Sequence, residues 1–337
     1  MRDILGIKKS VIDAGISMLE NGLAVRTWGN ISAKVSESNF VITPSGKAYE
    51  GMSASDLPVL SITTGDVISS GTFEPSSEYP IHLAIYQERK EANVVMHTHQ
   101  VYATAIAYIF ESNGELALGE PALSRKFDVE IEGMGIRDIG LIERLLPGSR
   151  ELHDRVRIEI QDTSANCYLM KGHGTLIFGE NFNDVIAQAV CLEKISKEIY
   201  EEIAGVKVAD RGNISNDTAM EKRLSKTGKN LAELASCDTE VMRFMEDKHE
   251  SFIYDYAQVA GNDEIGDHDT FIFDKEIGVV FCKGKNEVEA RSNRAILEKN
   301  ARAARIARYA GKKPIDLEIC KALHEDYIRN YSRKIDK

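Results

Sequence analysis

The sequence has no long hydrophobic run. No apolar segment approaches the roughly 20 residues that a helix needs to cross a bilayer, so we expect no membrane partner. The N-terminal segment, MRDILGIKKSVIDAG, is charged and has a helical pattern. It lacks the apolar centre and the small-residue cleavage site of a secretory signal peptide. These absences predict a cytoplasmic protein.

Basic charge and paired cysteines are also lacking. The formal net charge is −11, whereas general nucleic-acid binders present a basic surface, so we expect no nucleic-acid partner. The five cysteines are scattered without a CxxC pair, which is typical of reduced, mostly buried thiols. No GxGxxG segment stands near the C-terminus, so an attached nucleotide-binding dehydrogenase is not expected.

Short strands and helices alternate through the first 204 residues. The apolar spacing of Leu5, Ile12, Ile16 and Leu19 predicts a helix over 3–20. Further helices are predicted over 76–90, 101–109 and 182–203. Strands are predicted over 23–27, 30–36, 39–44, 57–62, 92–96, 167–170 and 175–178. The order is not a simple βαβ alternation, so the predicted fold is α/β with a largely antiparallel sheet.

A length of 337 residues allows a domain with a substantial extension. Residues 205–230 are rich in Gly, Asn, Asp and Lys and poor in large apolar residues, which predicts a linker between a domain over 1–204 and a C-terminal unit over 231–337. The second unit resembles part of the first, because Gly179 and Gly284 each follow an apolar strand and precede a Leu-Glu-Lys helix segment at the same distance. This indicates a degenerate partial repeat; the alternative is that any strand–Gly–helix segment has such a pattern.

Three histidines carry the clearest chemical signal. His97 and His99 follow a predicted buried strand, where residues i and i+2 point to the same side, so their imidazoles can hold one ion. His173 lies between two glycines at a strand turn and is suited to complete a three-nitrogen face. Three protein ligands with an open position are the arrangement of catalytic zinc, although each histidine taken alone is more often structural.

Three short polar segments accompany the histidines. Glu78, in PSSE, is predicted in the first turn of a helix, where it can ligate a metal, move a proton or simply favour the helix dipole. The turns GNIS (29–32) and TPSG (43–46) offer an amide, hydroxyls and backbone N–H groups. Such turns can bind phosphate, or they are ordinary turns.

The order of the motifs is more specific than any one of them. GNIS, TPSG, PSSExxxH, VxHTH and GHGxxxxG occur in this order across residues 29–179. In this the chain resembles the class II aldolase/adducin-head family, which includes fuculose-1-phosphate and rhamnulose-1-phosphate aldolases. The resemblance covers about residues 3–203.

The resemblance implies a three-layer α/β/α domain with a central, mainly antiparallel sheet, and a homo-oligomer that is usually a tetramer. The C-terminal α/β unit would be an addition to this domain. Zinc, or another divalent metal, would be bound by His97, His99 and His173, with Glu78 as a fourth ligand when substrate is absent and as the catalytic acid/base. The phosphate of the substrate would be held by Gly29, Asn30, Ser45, Gly46, Ser76 and Ser77.

The implied function is that of a lyase in carbohydrate metabolism. It would cleave or form a carbon–carbon bond in a sugar phosphate through a metal-stabilised enediolate. The alternatives on the same scaffold are a sugar-phosphate 4-epimerase, a dehydratase and, less favoured because all three histidines are present, a non-catalytic adducin-like scaffold. The tyrosine that serves aldolases as a second acid/base is missing from the stretch 114–119; Tyr102 and Tyr108 lie too early, and Asp128 is a weak candidate for the acidic residue of epimerases.

Overall fold

The computed structural model describes two compact units of the chain. The described residues are 3–110, 138–208, 232–236, 238–247, 249–260, 270–276 and 278–331. One unit comprises Met1–Lys197 with Arg329–Lys337, and the other comprises Glu198–Ile328. Most of the predicted linker over 205–230 lies outside the described residues, as do the stretch 114–119 and Asp128. The domain limits at 204 and 231 therefore stay predictions.

The first unit is built around an eight-stranded sheet. Its strands are β1 (Asn30–Ser36), β2 (Asn39–Ile42), β3 (Val59–Ser61), β4 (Val67–Ser69), β5 (Val94–Thr98), β6 (Ile139–Ile142), β7 (Cys167–Met170) and β8 (Gly174–Gly179). Their order in the sheet is β4-β3-β2-β1-β5-β8-β7-β6. Neighbours are antiparallel except for the parallel pair β6 and β7, which confirms the predicted α/β class with a mainly antiparallel sheet.

Helices cover both faces of this sheet. They are α1 (Ile4–Glu20), α2 (Tyr79–Glu88), α3 (Val101–Ile106), α4 (Arg150–Asp162) and α5 (Phe182–Ala204). Helices α2 and α4 contribute to one buried cluster with alternate residues of the strands, whereas α1 contacts β1 and α3 contacts β7 and β8. None of the helices in the described residues combines the length and the hydropathy that a membrane span requires.

Strand alternation decides which side chains reach which layer. Phe40, Val95 and Phe178 lie in the core cluster shared with α2 and α4. His97 is two residues beyond Val95 on β5 and therefore points to the same face, while Thr98 points to the other. The histidines of interest thus lie on the α2 side of the sheet.

Local capping explains where the helices begin. Helix α1 starts after Asp3, whose carboxylate accepts a hydrogen bond from the N–H of Leu5 at 3.1 Å, and it ends at Glu20 as predicted. Helix α4 starts after Ser149, whose hydroxyl accepts from the N–H of Leu152 at 3.1 Å. Side chains that satisfy the first free amides set both starting points.

Three of the predicted elements that border the candidate site differ from the expectation. The strand predicted over 23–27 is wrong: this segment turns, and Arg26 has a left-handed φ of 58°. Helix α2 begins at Tyr79 rather than at 76, with Pro80 in its first turn, so Glu78 occupies the N-cap position before the helix. Strand β5 is shifted to 94–98, which brings His97 into the strand itself.

The second unit contains a three-stranded sheet. Its elements are β9 (Ala232–Ser236), α6 (Thr239–Glu246), α7 (Tyr254–Ala260), β10 (Phe271–Asp274), β11 (Val279–Gly284), α8 (Glu287–Tyr309) and α9 (Leu317–Asp326). Strand β11 is central and antiparallel to both β9 and β10, and α8 packs on β9 and β11. A buried ion pair joins Lys299 of α8 to Asp255 of α7, with 2.9 Å between Nζ and Oδ2.

The two sheets share a strand register. The last residue of β8, Gly179, lies opposite the first residue of β5, and the last residue of β11, Gly284, lies opposite the first residue of β9. On their other edges, β8 pairs with β7 and β11 pairs with β10. The first residue of β7 lies opposite the residue two positions before Gly179, and the first residue of β10 lies opposite the residue two positions before Gly284. Strands β8 and β11 each lead to a helix of 23 residues, α5 and α8 respectively. The shared register extends the sequence likeness around Gly179 and Gly284.

Candidate metal centre

His97 lies near the end of β5, and each of its two ring nitrogens has a defined neighbour. Its Nδ1 donates a hydrogen bond to the backbone carbonyl of Thr175 at 2.9 Å. A neutral imidazole carries one N–H, so the lone pair of His97 is on Nε2. Nε2 is 3.0 Å from Nε2 of His99, and a backbone acceptor that fixes the tautomer in this way is typical of metal-ligating histidines.

His99 follows the strand at a tightly held turn. Its backbone N–H donates to the carbonyl of Leu23 at 2.9 Å. The ring of Trp28 is stacked on the imidazole, with 6.4 Å between centroids and 22° between planes. These contacts direct the His99 ring towards His97.

A carboxylate from α5 holds the helix that follows His99. Glu193 accepts hydrogen bonds from the backbone N–H groups of Val101, Tyr102 and Ala103, at 2.9–3.1 Å. These amides begin α3 and would otherwise need water or another acceptor. Glu193 therefore fixes the direction of the chain immediately after the histidine pair.

His173 stands in the turn between β7 and β8. Its N–H donates to the carbonyl of Met170 at 3.1 Å. A Cβ on the next residue, Gly174, would lie 2.0 Å from the carbonyl oxygen of Thr98. Only glycine lets β8 approach β5 this closely, and this approach brings the His173 ring within 4.7 Å of the His97 ring, centroid to centroid.

Glu78 joins the histidines from the other direction. Its Oε2 is 3.2 Å from Nε2 of His97 and its Oε1 is 3.2 Å from Nε2 of His173. Oε2 also accepts a hydrogen bond from Nδ2 of Asn30 at 3.1 Å. The N-cap position found for Glu78, rather than the predicted first turn, places its carboxylate here.

The four side chains offer a fitting set of metal ligands. One ligand atom from each of Glu78, His97, His99 and His173 lies within 4.8 Å of the others. A tetrahedral ion with bonds of about 2.1 Å separates its ligand atoms by about 3.4 Å, close to the 3.0–3.2 Å found between several of these pairs. Three imidazoles and a carboxylate suit zinc, and also manganese, iron or cobalt.

The protonation states agree with metal binding. Burial holds the pKa of His97 well below its usual range. For Glu78, burial alone would raise the pKa, but His97 and His173 outweigh this effect and the pKa is held well below its usual range. A neutral imidazole at His97 and an ionised carboxylate at Glu78 are the forms that coordinate metals.

The residues predicted to hold phosphate lie on three adjacent loops. The N–H of Ser45 donates to the carbonyl of Glu74 at 2.9 Å, and the N–H of Ser76 donates to that of Thr43 at 3.2 Å, which joins the TPSG and PSSE loops. The hydroxyl of Ser76 accepts from the N–H of Glu78 at 3.3 Å. Ser76 is buried, whereas Ser77 is exposed and Ser45 and Gly46 are partly exposed.

The GNIS loop completes this group. A Cβ on Gly29, where φ is 87°, would lie 2.8 Å from the carbonyl oxygen of His97, so glycine is required beside the metal cluster. The amide of Asn30 contacts Glu78 and His82. The structure thus places Gly29, Asn30 and Ser76 beside the cluster. The role of all six residues towards phosphate stays a prediction.

Several residues near the cluster were not identified from the sequence. Trp28, Thr175 and Glu193 act through ring stacking, a backbone carbonyl and helix-end contacts that have no short motif. His82 could have been found, because it is the last residue of PSSExxxH and lies four residues after Glu78. Among the tyrosines considered as a second acid/base, burial raises the pKa of Tyr108, and its hydroxyl bonds to Arg144.

The family model described as Class II Aldolase and Adducin N-terminal domain matches residues 9–200. The chain belongs to this family. The class II aldolase resemblance predicted from the motif order is therefore confirmed.

This class II aldolase family member is also similar to individual proteins, one in sequence and two in fold. The chain is 32% identical over 197 residues to L-ribulose-5-phosphate 4-epimerase UlaF of Salmonella paratyphi C (strain RKS4594), covering 57% of this chain and 82% of the epimerase. YgbL of Klebsiella pneumoniae has a similar fold, with a TM-score of 0.51 at 20% identity, covering 66% of this chain and 99% of YgbL. YgbL of Escherichia coli gives 0.50 at 20% identity, over 62% and 96%.

Proposed function

We propose that the chain is a divalent-metal enzyme that breaks or forms a carbon–carbon bond in a sugar phosphate. The observation that carries this proposal is the convergence of three buried imidazoles and the Glu78 carboxylate on one point. Three histidines with a nearby carboxylate are typical of catalytic metal sites, in which one position is left for substrate. Membership of the class II aldolase family supports the same reaction class.

Zinc is the metal we propose, held by His97, His99 and His173, with Glu78 as a further ligand while substrate is absent. When bound, it would supply Lewis-acid stabilisation of the negative charge that develops on a substrate carbonyl oxygen. Thr175, through its carbonyl, keeps the lone pair of His97 on Nε2, the atom that would bind the metal.

Glu78 is the proposed acid/base. Its carboxylate is buried, its low pKa keeps it ionised, and it lies 3.2 Å from the nitrogens of two proposed ligands. Glu78 would therefore be placed to accept a proton from, or return one to, a substrate carbon bound in this site. The three phosphate-binding loops predicted around Ser45, Ser76 and Gly29 would orient the substrate from its other end.

A 4-epimerase is the second candidate. It is favoured by the likeness to the Salmonella L-ribulose-5-phosphate 4-epimerase, which at 32% identity spans most of that enzyme. A carbon–carbon bond that is broken and then re-formed on the opposite face inverts a carbinol carbon without loss of atoms. The lyase and the epimerase would thus share their first step and differ in the fate of the aldehyde fragment.

Product analysis tests both candidates. The zinc-loaded protein is incubated with L-ribulose 5-phosphate and with ketose 1-phosphates, and products are resolved by chromatography with mass detection. Two shorter fragments indicate the lyase, and an isomer with an unchanged carbon number indicates the epimerase. Glu78→Gln is expected to abolish turnover, whereas Glu74→Gln, an exposed residue of the same loop, is expected to retain it. No turnover of either class, or full activity in Glu78→Gln, would contradict the proposal.

For the C-terminal unit we propose a degenerate copy of the metal-bearing part of the first unit, with a structural role. The shared strand register makes Ala235 the equivalent of His97, so a key imidazole is missing from the copy. We therefore expect one metal site per chain, a catalytic domain over 1–204 and a separate unit over 231–337. Assembly into a homo-oligomer stays a prediction, which sedimentation velocity can measure.

A further inference from the structure

A row of five buried polar side chains, the polar ladder, ends at the Glu78 carboxylate. Glu78, His82 and Tyr86 are spaced four residues apart along α2 and its N-cap, so they share one face of the helix. Asn30 and Ser32 are two residues apart on β1, so they share one face of the strand. The two rows face each other and interleave.

Each member of the polar ladder contacts the next. Nδ2 of Asn30 donates to Oε2 of Glu78 at 3.1 Å, and Oδ1 of Asn30 is hydrogen-bonded to Nε2 of His82. Nδ1 of His82 is 2.7 Å from the hydroxyl of Ser32, which is 2.8 Å from the hydroxyl of Tyr86. His82 and Ser32 are fully buried, so no bulk water competes for these bonds.

The chemistry of the groups fixes every donor direction. An ionised carboxylate only accepts, so the Asn30 amide must turn its NH2 towards Glu78 and its oxygen towards His82. The oxygen accepts, so Nε2 of His82 carries the ring proton. Burial lowers the pKa of His82 to about 3, and the neutral ring therefore accepts at Nδ1 from Ser32, which accepts from Tyr86. All four bonds point towards Glu78.

The direction of the Asn30 amide has a consequence for the metal centre. With the amide reversed, its oxygen would lie beside the Glu78 carboxylate and repel it. The carboxylate would then lose the contact that holds Oε2 beside His97 while Oε1 lies beside His173. The ring proton of His82 opposes this reversal, because a reversed amide would set an NH2 group against the N–H of Nε2.

We propose that His82 is a positioning residue, which holds the Asn30 amide in the orientation that presents Glu78 to the metal. The proposal rests on the proposed function only in that Glu78 acts beside a metal ion. It assigns no contact between His82 and substrate. Partners of ligating groups that are fixed in this way typically contribute 10–100-fold to metal affinity or activity, on the order of the effect expected here.

Three variants separate positioning from simple core packing. His82→Leu removes the donor to Asn30 and is expected to weaken zinc binding about 10–100-fold. His82→Gln keeps an N–H group that can reach Asn30 and is expected to restore most of the affinity. Tyr86→Phe, the control at the far end of the polar ladder, leaves the Ser32–His82–Asn30 bonds in place and is expected to change zinc affinity by less than about threefold.

The readout is the zinc dissociation constant, measured by competition with a chromophoric chelator, beside the thermal unfolding of the same metal-free proteins. A merely structural role would lower the unfolding temperature in His82→Leu and leave its zinc affinity at the wild-type value. That result would overturn the proposal. Weaker zinc binding in His82→Leu with recovery in His82→Gln would support it.

A spectroscopic measurement tests the proposal even if His82→Leu does not fold. Nitrogen-15 NMR of the metal-free wild-type protein reports the tautomer of each histidine, and His82→Gln identifies the signal. A neutral ring with its proton on Nε2 is expected, and a proton on Nδ1 would overturn the proposal. Neither measurement depends on turnover, so failure of the positioning role is distinct from failure of the sugar-phosphate reaction.

Discussion

Removal of the Glu193 carboxylate tests how the turn after the histidine pair is held. Glu193 accepts from three successive backbone N–H groups at the start of α3, all at 3.1 Å or less. In Glu193→Ala these amides lose a charged acceptor. His99, two residues before the first of them, loses the support that fixes its direction.

The expected cost follows from these bonds. A hydrogen bond to a charged group contributes about 1.5–3 kcal/mol. Because one carboxylate serves three amides and water can reach the partly buried site, we expect a total loss of about 3 kcal/mol rather than a threefold sum. For a domain of this size each kcal/mol lowers the melting temperature by roughly 2–4 °C, so the expected decrease is about 6–12 °C.

Thermal unfolding of the metal-free protein measures this prediction. Glu193→Gln keeps an uncharged acceptor and is expected to lose about half as much. Lys194→Ala, which alters the exposed neighbour on α5, is the matched control and is expected to change the melting temperature by less than about 2 °C. Equal melting temperatures for Glu193→Ala and Lys194→Ala would refute the reasoning.

Two further predictions concern buried charge. Between pH 6.5 and about 3 the unfolded chain binds a proton that folded His82 does not, so the unfolding free energy falls by about 1.4 kcal/mol per pH unit on acidification. In metal-free His82→Gln, the unfolding free energy measured with urea should change less steeply with pH, by this amount. Parallel plots of unfolding free energy against pH for the two proteins would contradict the prediction. In the second unit, Asp255→Ala removes the carboxylate 2.9 Å from buried Lys299 and should cost about 3–5 kcal/mol, largely recovered in Asp255→Ala/Lys299→Met. An equal loss in the single and double variants would count against this.

The fold and the metal cluster were predictable because their signals are local. Strand alternation predicts His97 and His99 on one side, and the order of the motifs along the sequence indicates the family. The turn at Arg26 was not predictable, because the apolar residues before it, of which Leu23 and Ala24 are buried, have the composition of a strand. The start of α2 was missed because Ser76 and Ser77 look like helix caps, whereas Pro80 sets the first turn later.

Contacts between distant segments could not be deduced from one sequence. Thr175 orients His97 through a backbone carbonyl, which any residue type supplies. Glu193 binds amides 90–92 residues away, and nothing in its local pattern marks this role. The polar ladder is an intermediate case: the spacing of Glu78, His82 and Tyr86 is visible in the sequence, but its meaning depends on β1 lying opposite α2.

Metal content is the most direct test of the central claim that Glu78 and the three histidines form a divalent-metal site. Elemental analysis of protein purified without chelators, followed by zinc titration of the metal-free form, is expected to give about one ion per chain. His173→Ala is expected to lose this ion while remaining folded. A wild-type protein that holds no divalent metal and binds no zinc, or a His173→Ala variant with unchanged metal content, would contradict the account.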